Sequence, residues 1–200
     1  NLLGIDGNYL DKTMLKIPLQ FFMEHDLETS FSINKKFDIA LSLEVAEHLK
    51  EESASVFIKT LTGLSDVIVF SAAIKNQGGQ NHINEQNPNY WVSKFENEGY
   101  TCLDILRPVF WNNEKVEFWY KQNILLFTNN EKLISDFQKH TSFYNQNLVH
   151  PQLLEIKNNS QNYYSKENAR ILAGKKELKF YFKLLIVALK FKFEKKNNGK

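Results

Sequence analysis

The fold is decided by the stretch Phe37-Asp-Ile-Ala-Leu-Ser-Leu-Glu-Val-Ala-Glu-His-Leu49. Its first seven residues form a near-continuous apolar run, which is typical of a buried strand in a parallel sheet. Glu44, Glu47 and His48 follow with no Gly or Pro between them. In open α/β sheets, ligands bind beyond the carboxyl ends of the strands. The stretch predicts a buried strand that ends in a polar site; the alternative is a loop whose charges are merely solvated.

Composition places the chain among globular proteins. It has 200 residues, of which 42% are hydrophobic and 16 are Phe, enough for one domain with an appendage. The net charge is +2, and Lys and Glu are mixed along most of the length, so we expect no nucleic-acid partner. The single Cys102 excludes an internal disulfide and a Cys-based zinc cluster. We expect a cytoplasmic protein, and the start at Asn1 rather than Met suggests a missing amino-terminal part.

Acidic residues follow the two apolar segments that precede this stretch. Leu2-Leu-Gly-Ile-Asp6-Gly7 is a short strand ending in a carboxylate, which could accept hydrogen bonds from both ribose hydroxyls of a nucleotide. The alternative for Asp6 is an Asx-type turn. Phe21 to Leu27 predicts the next strand and its exit loop, where Asp26 could accept from an exocyclic adenine amine. The alternative for Asp26 is a helix cap or a loop carboxylate.

These segments together resemble a known family. Gly4-Ile-Asp6-Gly7, His25-Asp26-Leu27 and above all Ser42-Leu-Glu-Val-Ala-Glu-His-Leu49 resemble the cofactor-binding region of class I S-adenosylmethionine-dependent methyltransferases. The resemblance covers about residues 2 to 128. The family's first strand and its Gly-rich loop, with the pattern E/D-x-G-x-G, have no counterpart in this chain.

The resemblance implies a set of cofactor contacts. It places Asp6 at the ribose, with Gly7 beside it, and Asp26 at the adenine, with Leu27 beside it. It places the residues from Ser42 through Leu43 to Glu44 near the amino-acid end and the sulfonium of S-adenosylmethionine.

The fold class that follows is α/β, a Rossmann-like doubly wound sheet that is incomplete at the amino terminus. A short helix is predicted between Asn8 and Phe22, a crossover helix over 51–64 and a buried strand over 66–73. Further strands are predicted over 100–106 and 122–128. The resemblance implies that the last strand is antiparallel and lies between the two before it. It also implies a gap, or direct pairing, between Leu2–Ile5 and Phe37–Leu43, where the missing strand would lie.

The loop after the strand over 66–73 carries the candidate catalytic groups. His82 could take a proton from a substrate hydroxyl at neutral pH, and Glu85 could orient it or bind a sugar hydroxyl. The alternative is that His82 caps a helix starting near Pro88. His48 could act near the transferred methyl group or cap a helix. A metal site with these His and Glu residues lacks H-x-x-x-H spacing, so the sequence predicts no metal.

The character of the chain changes after Thr128. We expect a partial methyltransferase domain over 1–128, a helix and polar linker over 129–162, and a basic and apolar helix over 163–200. The apolar part of that helix is shorter than the ~20 residues a membrane span needs. Residues 180–193 could instead lie on a membrane surface or pack against a partner helix.

The predicted function is methyl transfer from S-adenosylmethionine to an oxygen of a small molecule or glycan. Two alternatives stay open. One is a non-catalytic scaffold for partners, and the other is a nicotinamide-dependent oxidoreductase, which would share Asp6 and the doubly wound sheet but would not explain the antiparallel strand.

Overall fold

The computed structural model describes residues 2–137 and 148–197. The chain divides into two compact units, one up to Leu153 and one from Leu154 onward. The strands are β1 Gly4–Asp6, β2 Phe22–Glu24, β3 Ala40–Leu43, β4 Val67–Ser71, β5 Thr101–Leu103 and β6 Leu125–Thr128. The helices are α1 Ala54–Leu64, α2 Pro88–Asn97, α3 Arg107–Phe110, α4 Phe118–Asn123, α5 Glu131–Phe137, α6 Pro151–Leu172 and α7 Leu178–Asn197.

The larger sheet has four strands in the order β3-β4-β6-β5. β3 and β4 are parallel, with Ala40 opposite Ile68, and β6 runs antiparallel to both β4 and β5. The sheet is therefore mixed, and the last strand lies antiparallel between the two strands before it, as the resemblance implies. The protein is an α/β protein.

The smaller sheet contains only β1 and β2, which are parallel, with Gly4 opposite Phe22. In the part of the chain that the structure describes, β1 is not hydrogen-bonded to β3. A cavity of about 280 Å³ is lined by Leu2, Leu3 and Ile5 on one side and by Phe37, Ile39 and Leu41 on the other. The first of the two expected outcomes, a gap between these strands, is confirmed.

The core lies where α1 and α2 pack on the four-stranded sheet. Phe95 of α2 stacks on Phe127 of β6 with ring centroids 3.8 Å apart, and Phe70 of β4 meets Phe95 edge to face at 5.4 Å. The apolar spacing of α1 explains its position, because Phe57, Ile58 and Leu61 are all buried on one side of the helix. This packing fixes the four-stranded sheet and the loops at its ends.

Three segments differ from the sequence prediction. The helix predicted between Asn8 and Phe22 is replaced by two short 3₁₀ turns, Lys12–Met14 and Leu19–Phe21. The first begins after Asp11, whose carboxylate caps it by accepting from the Thr13 amide. Pro18 lies between the two turns and prevents one continuous helix. The linker predicted through 162 is wrong from Pro151 onward, where α6 begins with a proline in its first turn. The part of that linker over 138–147 lies outside the described residues.

The single helix predicted over 163–200 is also wrong, because the chain breaks between α6 and α7. Gly174 has a φ of +71°, the left-handed conformation that ends many helices. The Gly174 amide donates to the Ile171 carbonyl at 3.1 Å and the Lys175 amide to the Arg170 carbonyl at 2.9 Å. This pair of bonds is a Schellman motif. Among the helices within the described ranges, none is long and apolar enough to cross a membrane.

Candidate functional site

A cavity of about 900 Å³ opens where β1, β2 and β3 end. Its volume lies within the range of small-molecule sites, roughly 300–1,000 Å³. Among the residues that line it are six that the sequence analysis selected, Asp6, Gly7, Asp26, Leu27, Glu44 and His48. The three acidic residues come from three different strand ends, so the fold brings together groups that are far apart in sequence.

Asp6 holds the turn after β1 with one oxygen. Its Oδ1 accepts from the Gly7 amide at 2.7 Å and from the Tyr9 hydroxyl at 2.8 Å. The hydrogen bond to Asp6 is the main reason that the pKa of Tyr9 is raised. The amide bonded here is that of the next residue, which differs from the two-residue spacing of an Asx turn. Asp6 therefore lines the cavity next to Tyr9, and its Oδ1 already accepts two hydrogen bonds.

Asp26 has a clear local role in the loop after β2. Its Oδ1 accepts from the Glu28 amide at 2.9 Å, which is the spacing of an Asx turn. The Asp26 carbonyl accepts from the Thr29 amide and hydroxyl at 3.0 and 2.8 Å. One oxygen of Asp26 therefore stabilises the loop, as the alternative of a loop carboxylate expects. The residue also lines the cavity.

Glu44 is held in an unusual backbone conformation directly after β3. Its φ is +54°, which is uncommon for a residue with a side chain and typical of strained functional sites. Its amide donates to the Ser71 carbonyl at 3.0 Å. Its carboxylate accepts from Asn123 at 3.1 Å and from Gln77 at 3.3 Å. Gln122 completes this buried group by donating to Gln77 at 3.0 Å, so the carboxylate has a fixed position at the cavity wall.

Glu47 is the most unusual ionisable group of the site. It is 0% exposed, and neither of its carboxylate oxygens has a hydrogen-bond partner among the described residues. Burial, and second the negative charge of Glu44, raise its pKa to about 8. Nearby backbone amides lower that pKa, but they do not reach the carboxylate with hydrogen-bond geometry.

His48, His82 and Glu85 form a chain of contacts next to Glu47. The Nδ1 atom of His82 lies 2.9 Å from Oε1 of Glu85, which also accepts from the Gly78 amide at 2.6 Å. The His48 and His82 rings meet edge to face with centroids 4.9 Å apart. The contact that Glu85 needs in order to orient His82 is present, and its catalytic role stays a prediction. His82 does not cap α2, whose first turn has Asn87 as its cap residue and no side-chain capping bond.

The loop that carries His82 is fixed to the turn that carries Glu47. The amides of Ile83 and Asn84 both donate to the Glu47 carbonyl, at 2.9 and 3.0 Å. The Gln86 amide donates to the Ala73 carbonyl at 3.3 Å. These bonds explain why Glu47 is buried: the loop folds over it.

Four sequence-selected residues lie away from the cavity wall. Ser42, Leu43, His82 and Glu85 are not among the described residues that line the large cavity. Ser42 is 4% exposed and lines the smaller apolar cavity instead. The cofactor contact of Ser42 stays a prediction, and His82 contacts the cavity residue His48 through its ring.

Sequence reasoning missed several residues of the site. Tyr9 could have been noticed as an aromatic three residues after Asp6. The side-chain amides of Gln77 and Asn123, which bind Glu44, and of Gln122, which binds Gln77, carry no periodic signal. They come together because β4 and β6 are neighbours in the sheet. Comparisons with protein-family models, with curated proteins and with solved structures each gave no match to this chain.

Proposed function

We propose that the protein is an S-adenosylmethionine-dependent methyltransferase that methylates an oxygen of a small molecule or glycan. The observation that carries the proposal is the convergence of Asp6, Asp26 and Glu44 on one cavity beyond the ends of β1, β2 and β3. The antiparallel β6 between β4 and β5 also supports a Rossmann-like methyltransferase sheet rather than a nicotinamide-dependent one.

Each carboxylate has a chemical task in this proposal. Asp6 would accept hydrogen bonds from the ribose hydroxyls, and Asp26 would accept one from the adenine amine. Glu44, held by Gln77 and Asn123, would bind the ammonium group of the cofactor's amino-acid end. The cavity volume of about 900 Å³ leaves room for an acceptor beside the cofactor.

Methyl transfer needs alignment and, for a hydroxyl acceptor, removal of a proton. S-adenosylmethionine supplies an electrophilic methyl group, so the protein's contribution is to hold the acceptor in line. His48 lines the cavity and would act near the transferred methyl group, where it could take the acceptor's proton. His82, oriented by Glu85, lies against His48 and completes this polar group.

The second unit offers a surface of a different kind. α7 exposes large apolar side chains, including Leu185, Val187 and Phe191, next to Lys183 and Lys190. This arrangement supports contact with a membrane surface or with a partner helix, both of which the sequence allows. It also supports the alternative of a scaffold for partners, and a cytoplasmic location stays a prediction.

Calorimetric titration with S-adenosylhomocysteine tests the proposal. We expect weak binding by this chain, because the Gly-rich loop of the family has no counterpart in it. Asp6→Ala should weaken that binding further by about 1.5–3 kcal/mol, the scale of a charge-assisted hydrogen bond. Asp38→Ala is the matched control, because Asp38 is an exposed carboxylate that does not line the cavity. Equal affinities of the wild type and Asp6→Ala would contradict the ribose assignment. Binding of NAD⁺ but not of S-adenosylhomocysteine would favour the oxidoreductase.

A further inference from the structure

Three groups of metal-ligand type meet beside the cavity. Glu47, His48 and His82 each offer a ligand atom, and these atoms all lie within 4.8 Å of one another. Glu47 and His48 belong to the 3₁₀ turn Ala46–His48 after β3, whereas His82 belongs to the loop between β4 and α2. The absence of H-x-x-x-H spacing predicted no metal, because that spacing describes two ligands on one helix. The fold instead brings these three groups together from two separate segments.

The buried carboxylate of Glu47 is an independent sign of a ligand. A fully buried carboxylate without hydrogen bonds is costly, and proteins normally pair such a group or use it to coordinate a metal. Glu47 is 0% exposed and, within the described part of the chain, both of its oxygens lack a partner. The negative charge of Glu44 adds to the cost. A bound cation would remove both penalties.

The two imidazole rings are oriented as metal ligands usually are. The Nδ1 atom of His82 contacts the Glu85 carboxylate at 2.9 Å, and that of His48 contacts the Asn81 carbonyl at 3.3 Å. Both partners are acceptors, so these contacts suit the tautomer in which Nδ1 donates and Nε2 is free to bind a metal. Metal-binding histidines characteristically donate their other N–H to a carboxylate or a backbone carbonyl in this way.

A close backbone contact fixes the His82 ring further. A Cβ atom at Gly79 would stand 2.2 Å from both Cε1 and Nε2 of His82 and 2.8 Å from Cδ2. The glycine therefore lets the loop backbone approach the imidazole. The ring is held by Glu85 at one edge and by the loop backbone beside it, which restricts its rotation.

We propose that Glu47, His48 and His82 bind a divalent transition-metal ion of the Zn²⁺ class. Two imidazoles and one carboxylate suit such an ion, whereas Mg²⁺ and Ca²⁺ prefer oxygen ligands only. Ligand atoms around a tetrahedral ion with bonds of about 2.1 Å are roughly 3.4 Å apart, so small side-chain rotations bring the three groups into range. His48 also lines the large cavity, so an open coordination position would face the acceptor. There the ion would lower the pKa of a bound hydroxyl, and with the ion bound this would replace His48 as the means of removing the acceptor's proton.

Zinc binding by the full chain, first treated with a chelator and then freed of it, tests this site. We expect one Zn²⁺ per chain in calorimetry, and at least about 100-fold weaker binding for Glu47→Gln and for His82→Ala. Glu85→Gln should weaken binding by about 10–100-fold, the effect of losing a group that orients a ligand. Glu51→Gln is the matched control, because it removes an exposed carboxylate from the adjacent turn and should bind as the wild type does.

The wild-type chain provides a readout that does not depend on a variant folding. One equivalent of Zn²⁺ should shift the imidazole proton resonances of His48 and His82 but not those of His25, which lies outside the cluster. An absence of zinc binding by the wild type, or wild-type affinity in both ligand variants, would overturn the proposal. Neither measurement involves S-adenosylmethionine. If zinc does not bind, the proposed methyl transfer is therefore still decided by the titration with S-adenosylhomocysteine.

Discussion

Replacing Glu47 by Gln should change how folding stability depends on pH. Glu47 is fully buried, and burial together with the charge of Glu44 raises its pKa from 4.5 to about 8. Gln has nearly the same shape but no ionisable group. Without a bound metal ion, the variant therefore isolates the cost of ionising this one carboxyl inside the folded protein.

The sign of the effect follows from the two pKa values of Glu47. In the unfolded chain the carboxyl loses its proton near pH 4.5, but in the folded chain it keeps the proton until about pH 8. Between these values the folded state binds one more proton than the unfolded state, so the free energy of unfolding falls as the pH rises. The slope approaches about 1.4 kcal/mol per pH unit, and from about pH 5 to pH 8 the loss is about 3–4 kcal/mol.

Urea unfolding followed by Trp fluorescence measures this difference. The wild type and Glu47→Gln are compared at several pH values between about 5 and 8, with a chelator present. The stability of the variant relative to the wild type should rise with pH by about 3–4 kcal/mol over this range. Glu51→Gln, which removes an exposed carboxylate, should follow the wild type. Parallel curves for the wild type and Glu47→Gln would show that the folded-state pKa of Glu47 is ordinary, and would refute the reasoning.

Two further predictions concern the fold. Asp104 binds Arg107 through two hydrogen bonds, and both residues are almost fully buried, so Asp104→Asn should lower the free energy of unfolding by about 3–5 kcal/mol in a urea titration; a loss below about 1 kcal/mol would contradict this. In hydrogen exchange, the amides of Gly4–Asp6 should exchange faster than those of Ile68–Phe70, because β1 has one neighbouring strand and β4 has two; equal protection would show that the smaller sheet is as firmly held.

The strands could be predicted from sequence because their signal is local. Apolar runs place β3, β4 and β6 within a few residues of their observed positions. The position of β6 between β4 and β5 came only from the family resemblance, since no periodicity encodes strand order. The helix break at Gly174 and the helix start at Pro151 were missed although both residues are ordinary boundary signals.

The candidate site was predictable only where it depends on strand ends. Asp6 ends β1, Asp26 lies two residues after β2, and Glu44 follows β3 directly. Positions at strand ends converge on one side of the fold, so a simple rule selects them. Glu47 carries no such signal. A Glu in a polar turn normally lies in water, and it is buried here because Ile83 and Asn84 bring a distant loop over it.

The division into two sheets bears directly on how the cavity binds a ligand. Asp6 ends β1 of the smaller sheet, and Glu44 follows β3 of the larger one. Within the described part of the chain, no ladder of backbone hydrogen bonds joins these two sheets. Across the cavity, Glu28 accepts from the Lys50 amide and ammonium group, both at 2.8 Å. Exposed ion pairs of this kind contribute little to stability, because water screens their charges. A ligand that contacts both carboxylates must therefore hold the two sheets in register itself, and the free energy spent on this ordering reduces its affinity.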